Sequence, residues 1–146
     1  MNYIITPYNP KYAEQTVTMW RASKEKALGQ KEVRPVEDHI YFINHILPTQ
    51  FQVELVLMDN QVIGIIAFNK SEISQLYIHV DYQGIGIGET LLNKAKENSN
   101  GKLRLYTFEV NHVAQRFYEK HGFKVIARGH ENEENLPDIH YEWVSQ

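Results

Sequence analysis

Three alternating glycines stand in the segment Gln83-Gly84-Ile85-Gly86-Ile87-Gly88, between a stretch that favours a β-strand and a stretch that favours a helix. Glycine tolerates positive φ and lets the backbone approach a ligand closely. The N–H groups of such a loop, together with the N-terminus of the following helix, attract an anion. The segment therefore predicts a phosphate-binding loop, while a flexible turn is the alternative that the residues alone leave open.

The glycine spacing fits neither of the two common nucleotide-binding motifs. A dinucleotide-binding loop needs a further glycine where this chain has Glu89, and the Gly-Lys-Ser/Thr ending of a P-loop is missing. The loop is therefore predicted to bind an anion neither as a dinucleotide-binding loop nor as a P-loop.

A second group of candidate residues begins where a later strand gives way to a helix. Asn111 stands at that junction, where an asparagine caps the helix and can also donate a hydrogen bond to a ligand carbonyl. Phe117 and Tyr118 follow on the helix, and both are suited to the core or to the wall of a ligand channel. The residue types alone do not separate these roles.

Both groups resemble motifs of the GNAT acetyltransferases. The segment from Leu76 to Glu89 is similar to the signature Gln/Arg-x-x-Gly-x-Gly/Ala, and Phe108 to Phe123 is similar to the later motif Asn-x-x-Ala-x-x-Phe-Tyr-x-x-x-Gly-Phe. The two motifs occur in the right order and with an ordinary gap. One departure is visible, because His79-Val80 replaces the usual Asp-Pro after the strand.

The resemblance implies transfer of acetyl from acetyl-CoA directly to a primary amine, within a ternary complex. It places the pyrophosphate on the glycine loop and assigns to Tyr118 the protonation of the departing sulfur, for which a phenol is a suitable acid. The residues that it implies for acetyl-CoA binding are Leu76, Tyr77, Ile78, Gln83, Gly84, Ile85, Gly86, Ile87, Gly88, Glu89, Asn111, Ala114, Phe117 and Tyr118.

The attacking amine must lose a proton, because alkyl amines are mostly protonated at neutral pH. Glu72 is the first candidate base, since some members of the family carry their catalytic glutamate at this position; a solvated strand-end glutamate is the competing interpretation. Glu54, Gln75 with bound water, and His79 are the alternates. A backbone N–H of the strand, that of Ile78, is the expected donor to the developing oxyanion.

Composition excludes several other kinds of chemistry. The chain has no cysteine, so disulfides and acyl-cysteine intermediates are ruled out. Its seven histidines show no ligand spacing, so we expect no metal. A net charge of −3 gives no sign of a nucleic-acid partner, and the longest apolar run, 62–68, is too short for a membrane span. We expect a cytoplasmic monomer or homodimer.

The elements that must position these residues follow from hydrophobic periodicity. Apolar alternation and helical spacing predict the order β-α-α-β-β-β-α-β-α-β-β, with the first two helices near 11–28 and 36–47 and the strand before the glycine loop at 73–80. This order predicts a single α/β domain over residues 1–146. The resemblance implies the GNAT fold, a mixed and mostly antiparallel sheet of about seven strands flanked by about four helices.

The acceptor is the least determined part of the prediction. We expect the primary amine of a small molecule, while a protein N-terminus or lysine, or a sensor that binds CoA without catalysis, remain the alternatives. The acidic run Glu131, Glu133, Glu134 and Asp138 fits either a solvated loop or an electrostatic funnel for a cationic amine. Trp20, Tyr41 and Phe42 can line the acceptor site, but their helical spacing favours core packing.

Overall fold

The computed structural model describes residues 2–146 and contains the predicted order of seven strands and four α-helices. The bounds are β1 Ile4–Pro7, α1 Ala13–Leu28, α2 Val36–Tyr41, β2 Gln52–Met58, β3 Gln61–Phe68, β4 Ile73–Ile78, α3 Ile87–Glu97, β5 Lys102–Phe108, α4 His112–Lys120, β6 Lys124–Gly129 and β7 Asp138–Val144. The predicted fold, α/β with mostly antiparallel strands, is confirmed.

The strands form two antiparallel sheets. One has the order β1-β2-β3-β4 and the other the order β5-β7-β6. The two sheets touch through one parallel bridge between Glu72 and Arg104, beside the starts of β4 and β5. Beyond this bridge β4 and β5 diverge, so a gap opens between them toward their C-terminal ends. The sheet therefore offers a cleft in the middle of the molecule.

Helices cover both faces of the four-stranded sheet. Strand β2 illustrates how this follows from the sequence, because Leu55 packs toward α1 and α2 while its neighbour Val56 packs toward α3. Leu91 and Leu92 of α3 are fully buried in the same apolar cluster as Val56. Two apolar cores thus hold the strands in place, and the cleft between β4 and β5 is built on rigid elements.

The second predicted helix is correct in extent but not in type. Only Val36–Tyr41 is α-helical; a π-helical turn spans Phe42–Ile46, and a 3₁₀ turn spans Leu47–Thr49. Pro48 explains the change of helix type, because proline lacks an N–H and clashes with the preceding turn of an α-helix. The strand predicted over 73–80 ends two residues earlier, at Ile78. A 3₁₀ turn then begins at Val80.

None of the helices within residues 2–146 is long and apolar enough to cross a membrane. In the same part of the chain, no three His, Asp or Glu side chains are grouped so that they could hold a metal ion.

Candidate active site

A cavity of about 900 Å³ opens where the C-terminal end of β4 meets the N-termini of α3 and α4. This volume suits a ligand of cofactor size. Every residue that the sequence assigned to acetyl-CoA lines the cavity except Ile85, whose side chain is half-exposed on the outside of the loop. We call this space the cofactor cavity. The chain fold thus brings two sequence motifs, far apart along the chain, into one site.

The glycine loop forms one wall of the cofactor cavity and leads directly into α3. Gly84 and Gly86 have φ of 78° and 96°, a conformation that favours glycine. A Cβ at either position meets no atom within 4 Å, so the requirement here is backbone conformation and an open space above the loop. Gly86 is also the N-cap of α3, whose free N–H groups point into that space.

The loop is fixed despite the missing Asp-Pro. The His79 imidazole accepts a hydrogen bond from the Asp81 N–H at 3.1 Å, and the Tyr82 N–H donates to the His79 carbonyl at 2.9 Å. Gln83 donates from its side-chain amide to the Ile78 carbonyl at 2.9 Å. The hydrogen bonds of His79 therefore fix the start of the loop, as the proline does in the usual Asp-Pro motif.

The edge of β4 that faces the gap has two backbone N–H groups that no residue from 2 to 146 accepts from. The His79 N–H donates to the Ile63 carbonyl on β3 at 2.9 Å, so alternate residues of β4, including Tyr77, point their backbone groups toward β3. The N–H groups of Leu76 and Ile78 consequently point the other way, into the gap, where β5 is too far away to pair. Two strand donors are thus free beside the cofactor cavity.

Tyr118 lies at the junction of the cofactor cavity and the gap, and lines both. Its ring packs against Phe117, Phe123 and Tyr141, and only 8% of the residue is exposed. Burial raises the pKa of its hydroxyl well above the ordinary value, so the group stays protonated throughout the physiological range. Its hydroxyl donates to no residue from 2 to 146.

Asn111 caps α4, as its place in the sequence predicts. Its side-chain oxygen accepts a hydrogen bond from the Ala114 N–H at 3.1 Å. Its side-chain NH₂ group points to no partner among the described residues, and the residue lines both the cofactor cavity and the gap. The cap fixes the side chain and leaves the amide donors available.

The structure does not bring Glu72 to this cavity. Glu72 is exposed and forms the bridge with Arg104 at the closed end of the gap, six residues before Ile78 and roughly 20 Å away along the strand. Glu54 is buried and paired with Lys94 on another part of the sheet. His79 faces a separate cavity beside α1. Of the candidate bases, only Gln75 lines the gap.

A second cavity, of about 490 Å³, lies on the α1 and α2 side of β4, and we call it the acceptor cavity, after the role proposed for it below. Gln75 lines both this cavity and the gap, so the two spaces meet at that residue. Trp20, Tyr41 and Phe42 form an aromatic wall of this cavity. Trp20 is only 4% exposed and also packs in the core, as the helical spacing favours. Four carboxylates and two cations complete the lining: Glu32, Asp38, Glu133, Glu134, Lys24 and Arg34.

Aromatic contacts link the acceptor cavity to β4. Trp20 stacks on Tyr77 with ring centroids 5.8 Å apart, and the His39 ring meets the edge of Trp20 at 4.3 Å. Burial lowers the pKa of His39 to about 4, and the nearby Arg21 acts in the same direction. His39 is therefore neutral at physiological pH, and the wall of the cavity stays uncharged at this point.

The cofactor cavity also has a basic rim, which was not among the sites predicted from the sequence. Lys26 on α1 and Arg116 and Lys120 on α4 line it. The spacing of the last two, four residues apart on one helix face, was a readable signal. Lys26 belongs to an element far from both motifs, and only the tertiary fold places it here.

The chain matches the family model described as the acetyltransferase (GNAT) domain over residues 50–125, more than half of its length. The chain therefore belongs to the GNAT acetyltransferases, which are acetyl-CoA-dependent acyltransferases. The predicted family and enzyme class are confirmed.

Solved structures share the whole fold. The apo form of YjaB from Escherichia coli superimposes with a TM-score of 0.80 at 21% identity over 100% of both chains. The PaiA N-acetyltransferase from Thermoplasma acidophilum, solved in complex with coenzyme A, gives 0.75 at 23% identity over 99% of both. A GNAT-family acetyltransferase from Staphylococcus aureus Mu50 gives 0.79 at 21% identity, covering 99% of this chain and 100% of that one.

Proposed function

We propose that this protein transfers the acetyl group of acetyl-CoA directly to the primary amine of a small, cationic molecule. The observation that carries the proposal is the continuity of three spaces. The cofactor cavity, with its glycine loop, opens into the gap beside β4, and the gap meets the acidic acceptor cavity at Gln75. A thioester that enters from one side and an amine that enters from the other can meet in the gap.

The cofactor end has the charge that acetyl-CoA requires. The N-terminus of α3 and the glycine loop offer N–H donors to a pyrophosphate. Lys26, Arg116 and Lys120 surround the same cavity and suit the remaining phosphate, although the chain as a whole carries a net charge of −3. The Thermoplasma acetyltransferase, which has the same fold, is a complex with coenzyme A.

Direct attack on a thioester needs a donor for the oxyanion and an acid for the sulfur. The unpaired N–H groups of Leu76 and Ile78 supply the donors, already oriented by the strand. Tyr118 supplies the acid from its position at the junction of the cavity and the gap. A raised pKa makes a phenol a weaker acid. The same desolvation also raises the pKa of the departing thiol, so the pKa values of acid and leaving group stay matched.

The resemblance and the geometry indicate different groups for deprotonation of the amine. The resemblance indicates Glu72, which lies at the closed end of the gap. The geometry favours a water held by Gln75, from which the proton passes to solvent through the acceptor cavity. We propose the second route, and a pH–rate comparison of the two residues, given in the Discussion, separates them.

The acceptor cavity favours a small cation over a protein segment. Its carboxylates outnumber its cations by four to two, and His39 is neutral, so the lining is net negative. Aromatic side chains attract an ammonium through their ring faces. A hydrogen bond between Lys24 and Glu134 ties the link between β6 and β7 to α1 at one end of the cavity, which closes that end to a polypeptide.

The test is thiol release from acetyl-CoA across a panel of primary amines, with peptides bearing a free N-terminus or a lysine in the same assay. We expect turnover with small cationic amines. Turnover with peptides alone would show that the acceptor is a protein and not a small molecule. Tight acetyl-CoA binding without thiol release in any arm would indicate a sensor and overturn the proposed catalysis.

A further inference from the structure

We propose that three side chains, Lys24, Glu32 and Glu134, form the end wall of the acceptor cavity and limit the length of the amine that it accepts. We call this set the charged bridge. The proposal rests on the proposed function and adds to it the residues that determine specificity.

A third cavity lies directly behind the charged bridge. It has about 490 Å³, the same volume as the acceptor cavity, and extends past Leu28, Lys31 and Val33. All three bridge residues line both cavities, so the bridge is the partition between them. We call this space the rear cavity. Without the partition, the two spaces form one groove with about twice the volume of the acceptor cavity.

The bridge is held by short contacts between well-shielded groups. The Lys24 ammonium lies 2.6 Å from the Glu134 carboxylate and 3.2 Å from the Glu32 carboxylate, with 18%, 18% and 13% of the three side chains exposed. A contact to the backbone supports it, since Gln30 donates to the Glu134 carbonyl at 3.4 Å. Ion pairs shielded in this way are less screened by salt than surface pairs.

A neighbouring ion pair provides an internal comparison. Arg34 and Glu133 also line both cavities, but 56% and 64% of their side chains are exposed. Exposed pairs contribute little and rearrange easily. The partition therefore depends on Lys24, which joins α1 to two different links: Glu32 stands before α2, and Glu134 stands between β6 and β7.

The wall explains a preference for short acceptors. A short amine fits between Gln75 and the bridge, and its distal cation meets the carboxylates there. A longer amine must displace Lys24 from two carboxylates, and the partly buried Lys24 ammonium is then left without a partner, which is unfavourable. Truncation of Glu134 removes one side of the wall and gives the tail of a long amine access to the rear cavity.

The experiment measures equilibrium binding of α,ω-diamines, from diaminopropane to diaminododecane, to the CoA-saturated protein by calorimetry, with thiol release recorded in parallel. For Glu134→Ala, we expect the ratio of long-chain to short-chain affinity to rise at least about tenfold over wild type. Lys24→Ala shortens the side chain, opens the same wall from the α1 side and should raise the ratio as well.

Two controls separate the wall from charge alone. Glu134→Gln keeps the size of the side chain, and Glu131→Ala removes a carboxylate from the same link that lines neither cavity. Both should leave the ratio within about threefold of wild type. An unchanged ratio in Glu134→Ala and Lys24→Ala, or no diamine binding to any variant, would overturn the bridge. A changed ratio without thiol release would support the bridge and overturn the proposed catalysis.

Discussion

Among single residues, Gln75 has the position that matters most for proton transfer, because it lies where the gap meets the acceptor cavity. An amide cannot act as a base at neutral pH, but it can hold and orient a water. Tyr118 lies at the other junction, between the gap and the cofactor cavity. The two residues thus stand at opposite ends of the space in which the acetyl group would be transferred.

The Tyr118 hydroxyl should matter for turnover and not for cofactor affinity. Tyr118→Phe keeps the ring and its contacts with Phe117, Phe123 and Tyr141. We expect kcat to fall about 100-fold, the usual effect of losing a general acid. Steady-state kinetics and calorimetry with acetyl-CoA measure the two properties separately, and an unaltered kcat would remove the hydroxyl from the mechanism.

The base can be located by comparing Gln75→Ala with Glu72→Gln. We expect Gln75→Ala to reduce kcat/KM and the defect to shrink at high pH, where more of the amine is already neutral. Glu72→Gln should leave the pH profile in place, because this side chain lies outside the cavity. A profile that shifts in Glu72→Gln and not in Gln75→Ala would return the role to the glutamate.

Replacement of Gly86 tests the phosphate loop. Gly86→Val forces a β-branched residue to φ of 96° and adds a side chain in the space above the loop. We expect acetyl-CoA affinity to fall at least about tenfold, or about 1.4 kcal/mol. Gly29→Val is the matched control, because Gly29 has φ of 70° with equally open space but lies outside the loop; equal losses in both variants would attribute the effect to backbone strain.

Among the elements, α2 carries both an aromatic wall and a titratable group. The short helix and the π-helical turn that follows it place Tyr41 and Phe42 on the acceptor cavity together with His39. His39 and Tyr41 lie in the regular part of the segment, and Phe42 begins the π-helical turn. The two kinds of helix together form this side of the proposed acceptor cavity.

The lowered pKa of His39 makes stability depend on pH. The unfolded chain binds a proton at this residue below about pH 6.5, whereas the folded protein resists protonation until about pH 4, so stability falls as pH decreases between these values. The upper limit of the effect is about 3 kcal/mol, since one pKa unit corresponds to about 1.4 kcal/mol.

His39→Gln should therefore flatten the fall of Tm over this pH range. Thermal unfolding at several pH values measures the slope, and His45→Gln is the matched control, because His45 is exposed on the following turn. Identical slopes for wild type and His39→Gln would show that other groups cause the pH dependence.

In the whole molecule, local signals predicted the elements and the cofactor site, while the acceptor side depended on contacts between distant segments. The glycines, Asn111 and Tyr118 belong to continuous motifs with clear spacing, and the fold brings them to one cavity, whose role in acetyl-CoA binding stays a prediction. The partition formed by Lys24, Glu32 and Glu134 joins positions up to 110 residues apart. No local pattern predicts that arrangement. For the same reason, the sequence predicted that Glu72 begins the strand but not how far it lies from the cavity.

The divergence of β4 from β5 also has a consequence for amide hydrogen exchange. The N–H groups of Leu76 and Ile78 face the gap without a strand partner, so in the free protein they should exchange with solvent faster than that of His79, which is bonded to β3 at 2.9 Å. A bound acetyl-CoA that accepts hydrogen bonds from this edge should slow the first two amides and leave the third unchanged. Alternating protection along a single strand is then a residue-level signature of cofactor binding, and it is visible without any turnover.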